Sequence, residues 1–129
     1  MREYIGIPFS HQGKDWDGCD CWGLVLLFYE NEFGIKLPSF HDDYETADKS
    51  RQIHSVTNRE KDSWKRFDEP EYGDVILMRF RGFECHVGIY LENDKMLHIM
   101  RGTDSCIENL KDNKWRPRIT GFYRYENCS

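Results

Sequence analysis

Apolar positions along this chain fall into three regimes. Cys21-Trp22-Gly23-Leu24-Val25-Leu26-Leu27-Phe28-Tyr29 is a nearly unbroken apolar run. Asp20 precedes it as a good N-cap, because its carboxylate can accept from the first-turn N–H groups. Glu30-Asn31-Glu32-Phe33 is more polar, and Gly34 is placed to end a helix in the left-handed conformation. The pattern predicts a helix that is apolar on most sides, hence central and buried. Residues 1–20 carry Pro8, Gly13 and Gly18 among polar residues and read as loop. Residues 37–68 are polar and charged, with one amphipathic helix expected near 44–60 and a mostly solvated surface. From Gly73 onward the pattern is that of strands, at 74–80, 85–91, 95–100, a short one at 105–108 and an aromatic one at 120–125. One buried helix followed by sequential antiparallel strands predicts an α+β fold. The length of 129 residues suits a single domain over 1–129, with the polar stretch near 39–68 as an insertion.

The candidate chemistry starts at Cys21. A cysteine in the first turn of a helix meets the positive potential of unpaired N–H groups, which favours the thiolate. The same N–H groups can stabilise an oxyanion, and Gly18 can let the loop approach a substrate closely. In the second strand His86, Gly88 and Tyr90 share one face. A three-residue turn at Glu92-Asn93-Asp94 would pair Leu91 with Lys95 and Gly88 with His98. His98 would then be the diagonal neighbour of His86 on the same face, with Gly88 leaving room between the rings. A two-residue turn would put the histidines on opposite faces. In the first register His86 is a base for the Cys21 thiol, and His98 orients the His86 ring.

Composition narrows the function classes. A net charge of −5 argues against generic nucleic-acid binding. No apolar run reaches membrane-spanning length, and the first residues lack the apolar core of a signal peptide. Synthesis in the cytosol is therefore expected. The five cysteines are an odd number, so they cannot all pair within one chain. A zinc module using Cys19, Cys21, Cys85 and His86 is a competing reading from another class. His11, His41 and His54 read as surface residues. Asp15 and Asp17 read as turn formers. Tyr44, Trp64 and Phe67 are candidates for a partner surface.

In order along the chain stand Asp20-Cys21-Trp22-Gly23-Leu24-Val25, Tyr72-Gly73-Asp74-Val75, His86-Val87-Gly88-Ile89-Tyr90 and Met96-Leu97-His98. This series resembles the NlpC/p60-type cysteine peptidases of bacterial cell walls, over most of the chain except about 39–68. The resemblance implies a papain-like fold, with an N-terminal catalytic helix packed on an antiparallel sheet. It implies Cys21 as nucleophile, His86 as general base and His98 as the orienting third member, with no metal or cofactor. It also implies cleavage of the peptidoglycan stem peptide, between D-glutamate and a diamino acid. Phe9 stands where the family often has Tyr, and Trp22 where it usually has Ser. Phe9, Asp20, Trp22 and Gly88 are accordingly expected to line the substrate site. Gly18-Cys19-Asp20-Cys21-Trp22-Gly23-Leu24-Val25 and Gly121-Phe122-Tyr123-Arg124 resemble the phage-tail branch of the family. That branch implies tail-tip proteins as partners, a place in the virion tail after synthesis in host cytoplasm, and action in the cell wall or periplasm. A structural tail-tip protein with little hydrolysis is the alternative.

Overall fold

The computed structural model describes residues 2–37, 64–80 and 83–125. The order of elements is a short 3-10 turn Arg2–Tyr4, strands β1 (Lys14–Asp15) and β2 (Gly18–Cys19), helix α1 (Cys21–Phe33), strands β3 (Trp64–Phe67), β4 (Val75–Phe80), β5 (Phe83–Tyr90), β6 (Lys95–His98) and β7 (Cys106–Asn109), a 3-10 turn Arg116–Arg118, and β8 (Ile119–Tyr125). The loop expected over 1–20 contains the small β1–β2 hairpin. Its turn is held by Asp17 N–H donating to Asp15 Oδ1, so these aspartates are turn formers as expected. The helix expected near 44–60 lies outside the described residues.

The α1 boundaries follow their caps. Asp20 is extended and its carboxylate accepts from Gly23 N–H, while Gly34 ends the helix at φ 67°. Residues 21–29 are all buried, as an apolar run without a polar face must be. The helix covers one face of the sheet, against Val75, Leu77, Val87, Ile89 and Leu97. The alternate residues Ile76, Met78 and Met96 build a second cluster on the other face with Leu110 and Trp115. No helix among the described residues is long and apolar enough to cross a membrane.

The six-stranded sheet has the order β3-β8-β4-β5-β6-β7. It departs from a simple meander in one place: the last strand, β8, inserts antiparallel between β3 and β4. Residues 64–67, expected to belong to the polar stretch, are therefore part of the sheet. Trp64 is buried against Tyr29 and Tyr125, which removes it from the proposed partner surface.

Two segments distant in sequence are joined where β4 begins. Arg124 of β8 donates from Nε and Nη2 to the two oxygens of Asp74, both at 2.8 Å. Asp74 is buried and also accepts from Glu71 N–H, and the Arg124 guanidinium lies 3.7 Å over the Phe67 ring. Replacing Arg124 by methionine strands a buried carboxylate. The expected loss is about 2 kcal/mol, below the range for a fully buried pair because Arg124 is partly solvated. Urea unfolding of the variant checks this, and an unchanged midpoint would contradict it.

The β5–β6 turn decides the register of the histidines. Leu91 N–H donates to the Lys95 carbonyl, Ile89 pairs with Leu97, and Tyr90 pairs with Met96. Asn93 and Asp94 both adopt left-handed φ, 59° and 60°. This is the three-residue turn, made by two residue types that tolerate that conformation. His86 and His98 therefore share a face.

Candidate active site

The start of α1 is held rigidly. Asp20 is fully buried, and its Oδ1 accepts from Gly23 N–H at 2.7 Å while Oδ2 accepts from Gln12 N–H at 3.1 Å. Both oxygens are spent on the fold, so Asp20 caps the helix rather than lining the substrate site as expected. The preceding loop closes on the same point. Cys19 N–H donates to the Pro8 carbonyl, Ser10 N–H to the Cys19 carbonyl, and Asp20 N–H to the Gly13 carbonyl. A Cβ on Gly18 would lie 2.6 Å from Cβ of Ser10, so this glycine serves an internal contact, not approach to a substrate.

Cys21 is the first residue of α1 and is buried. Its neighbour Cys19 is placed differently. The Cys19 thiol donates to the Asp15 carbonyl at 3.1 Å, and burial, with Asp20 and Asp15 nearby, pushes its pKa up to about 12. That keeps the Cys19 thiol protonated in the metal-free fold and makes it a poor nucleophile, since the thiolate is the reactive form. Cys19, Cys21 and Cys106 are not joined in disulfides.

Helix α1 packs against β5, the strand that carries His86. The β4–β5 ladder shifts register between Met78 and Arg79, and Met78 is the residue paired with His86. Such a bulge increases local twist and re-aims the neighbouring side chain. His86 Nε2 lies 3.0 Å from His98 Nδ1, and both rings are buried. Phe80 stands edge-on to His86, and Trp115 edge-on to His98. These aromatic walls restrict the imidazoles to the orientation in which they meet.

A further group had no signal in the sequence. Glu108 on β7 brings Oε2 to 3.0 Å from His98 Nε2, and the Cys106 thiol lies 3.9 Å from the same oxygen. His98, Cys106 and Glu108 are also the described residues whose donor atoms cluster closely enough to suit a metal, a different set from the one expected. Burial lowers the pKa of His98, only partly offset by Glu108. Burial alone would raise that of Glu108, but the hydrogen bond from His98 and the nearby Trp115 and Lys114 hold it below its ordinary value. Alternation of β6 and β7 placed neither contact in view, because the pairing of β6 with β7 was not legible.

The remaining expected groove residues divide. Phe9 is half-buried beside the helix start, bridged to Cys19, with the Arg101 guanidinium 5.5 Å from its ring. Trp22 is buried and packs on Trp64, so it faces the core rather than a substrate cleft. A Cβ on Gly88 would meet the Met96 sulfur at 2.6 Å. The space that glycine leaves is filled by Met96, neither by an imidazole nor by substrate.

A cysteine at the start of a capped buried helix, set on an antiparallel sheet with a buried histidine pair, defines the architecture of papain-like cysteine hydrolases. Residues 6–124 match the NlpC/P60 family, and the chain belongs to it. The chain is 24% identical over 116 residues to the murein DD-endopeptidase MepS/murein LD-carboxypeptidase of Escherichia coli K12, covering 90% of the chain and 54% of that protein. It is 32% identical over 90 residues to tail tip assembly protein K of Escherichia phage N15, covering 64% of the chain and 35% of that protein. It thus spans about half or less of the length of these relatives. The NlpC/p60 domain of the peptidoglycan hydrolase SagA superposes with a TM-score of 0.65 at 18% identity, over 95% of this chain and 91% of that one. The antiparallel sheet and the buried helix α1 are thereby the papain-like NlpC fold.

Proposed function

We propose that the chain is a cysteine endopeptidase that cleaves the stem peptide of peptidoglycan, at the bond between D-glutamate and a diamino acid. The observation that carries this reading is the 3.0 Å contact between His86 and His98, in a family member whose α1 begins with Cys21. In the reaction His86 takes the Cys21 proton on Nδ1, the ring nitrogen that does not face His98. The thiolate attacks the scissile carbonyl carbon, and first-turn N–H groups of α1 stabilise the oxyanion. The C–N bond breaks as His86 returns the proton to the leaving amine. Water, deprotonated by His86, then hydrolyses the thioester and frees the thiol. The register shift beside Met78, the residue paired with His86, supports a re-aimed His86 ring. Phe9 borders the site and supplies an apolar wall without a hydroxyl.

The second part of the reading is delivery at a phage tail tip, with tail-tip proteins as partners. It is supported by the similarity to the tail tip assembly protein of phage N15. Digestion of purified peptidoglycan, with released muropeptides identified by mass spectrometry, tests the chemistry. Fragments ending at D-glutamate are expected. A folded protein that releases none, yet binds tail-tip proteins, would favour the structural alternative.

A further inference from the structure

We infer that Glu108 is a positioning residue that fixes the tautomers of the hydrogen-bond relay His86–His98–Glu108, and with them the nitrogen that receives the Cys21 proton. This rests on the peptidase reading and adds a fourth member to its machinery. A buried neutral imidazole has one N–H donor and one acceptor nitrogen, and its partners decide which is which. His98 has both nitrogens engaged, Nε2 with Glu108 Oε2 and Nδ1 with His86 Nε2, each at 3.0 Å. An ionised carboxylate can only accept. His98 must therefore carry its proton on Nε2 and present Nδ1 as an acceptor. His86 must then donate from Nε2, which leaves its own lone pair on Nδ1. A single acceptor at the far end thus orders two rings, so that the base nitrogen is unprotonated where a thiol proton has to arrive.

The same carboxylate acts on the charged state. When the Cys21 proton moves to His86 Nδ1, an imidazolium and a thiolate form. No proton leaves His98 or Glu108. The positive charge on His86 is then hydrogen-bonded through a polarisable ring to a carboxylate, the logic by which a third group stabilises a catalytic imidazolium. The groups facing this relay are His86 on β5, Cys106 on β7, and Lys114 and Trp115 in the segment after β7. Lys114 is the only one of these with a fixed positive charge, and it helps keep Glu108 ionised. Neutral His98 is consistent with its burial.

Glu108→Gln separates this role from packing. The amide offers a carbonyl acceptor and an NH2 donor at nearly the same volume, so it satisfies either tautomer of His98. In the wrong tautomer His98 donates to His86 Nε2, and the His86 proton sits on Nδ1, facing the thiol. Alkylation of Cys21 by iodoacetamide, followed peptide by peptide across a pH series, reads the thiolate without any peptidoglycan. The expected result is a Cys21 profile displaced about one pH unit upward in Glu108→Gln, a roughly tenfold slower alkylation near pH 6. The thermal midpoint should be unchanged. Nitrogen NMR of histidine-labelled protein should show His98 protonated on Nε2 in the wild type and mixed in the variant. Glu108→Asp should fall between the two.

An unchanged alkylation profile and an unchanged His98 tautomer in Glu108→Gln would overturn the inference. So would a lowered melting point with the wild-type profile, the mark of a purely structural role. The displacement should also vanish in a His98→Ala background, since Glu108 acts through that ring; persistence there would refute the relay. If Cys21 in the wild type reacts no faster than Cys106, the peptidase reading itself fails, and the relay with it.

Discussion

Replacing Cys21 by alanine is expected to lower peptidoglycan hydrolysis by about 10⁴-fold or more, at a stability cost of only about 1 kcal/mol. The size follows from what is removed. Without sulfur there is no covalent intermediate, and only oxyanion stabilisation and binding remain. His86→Ala should cost nearly as much, because a thiol without its base is seldom ionised near neutral pH. Members of one catalytic unit are not additive, so the double variant should be no slower than either single one by more than a few-fold. Initial rates of muropeptide release, with circular dichroism to confirm folding, measure all three. Hydrolysis that survives Cys21→Ala would remove the nucleophile assignment. A double variant slower by the product of the single losses would show that Cys21 and His86 act independently.

Gly23→Ala is expected to destabilise the protein by at least about 3 kcal/mol, although helix propensity alone argues for the opposite sign. In a solvated helix the exchange would gain about 1 kcal/mol. At position 23 a Cβ would lie 1.8 Å from the Gly13 carbonyl oxygen and 2.9 Å from its carbon. The obstacle is backbone that is itself tied to the helix, since Asp20 N–H donates to that carbonyl. It cannot rotate aside as a side chain would. Overpacking against fixed backbone costs more than the propensity gain, so the steric effect wins. The helix start must shift with it, and Cys21 lies two residues away. Activity should therefore fall even under conditions where the variant remains folded. Urea unfolding and hydrolysis rates check the two effects separately. Wild-type stability in Gly23→Ala would show that the loop and helix are not locked together.

The elements that were legible are those in which local chemistry and burial agree. Asp20, the apolar run from Cys21 to Tyr29 and Gly34 each specify one part of α1 by themselves. Apolar runs mark β4 to β6, which are buried on one or both faces, while the half-buried β7 offers only a short pattern. The Asn93-Asp94 turn was legible as one of two alternatives, distinguished only by which register the sheet adopts. β3 was hidden, because its four residues Trp64-Lys65-Arg66-Phe67 follow a long polar stretch and carry too short a pattern to separate from it.

Residue roles at the site divide on the same principle. Asp20, Trp22 and Gly88 stand beside the nucleophile or the base in sequence, and proximity along the chain suggested contact with substrate. Burial assigns them to the cap, the core and the Met96 packing instead.

What the amino-acid sequence by itself determined is therefore local: the capped helix with Cys21 at its start, the strand faces, the ordered motifs that mark the family, and the pairing of His86 with His98 once a turn length is chosen. What only the tertiary structure decided is non-local. It inserted β8 between β3 and β4, joined Asp74 to Arg124, and carried Glu108 to His98. The physical reason is that each of these depends on which strands lie side by side. Strand pairing is set by the collective burial of both sheet faces, and no single segment contains that information.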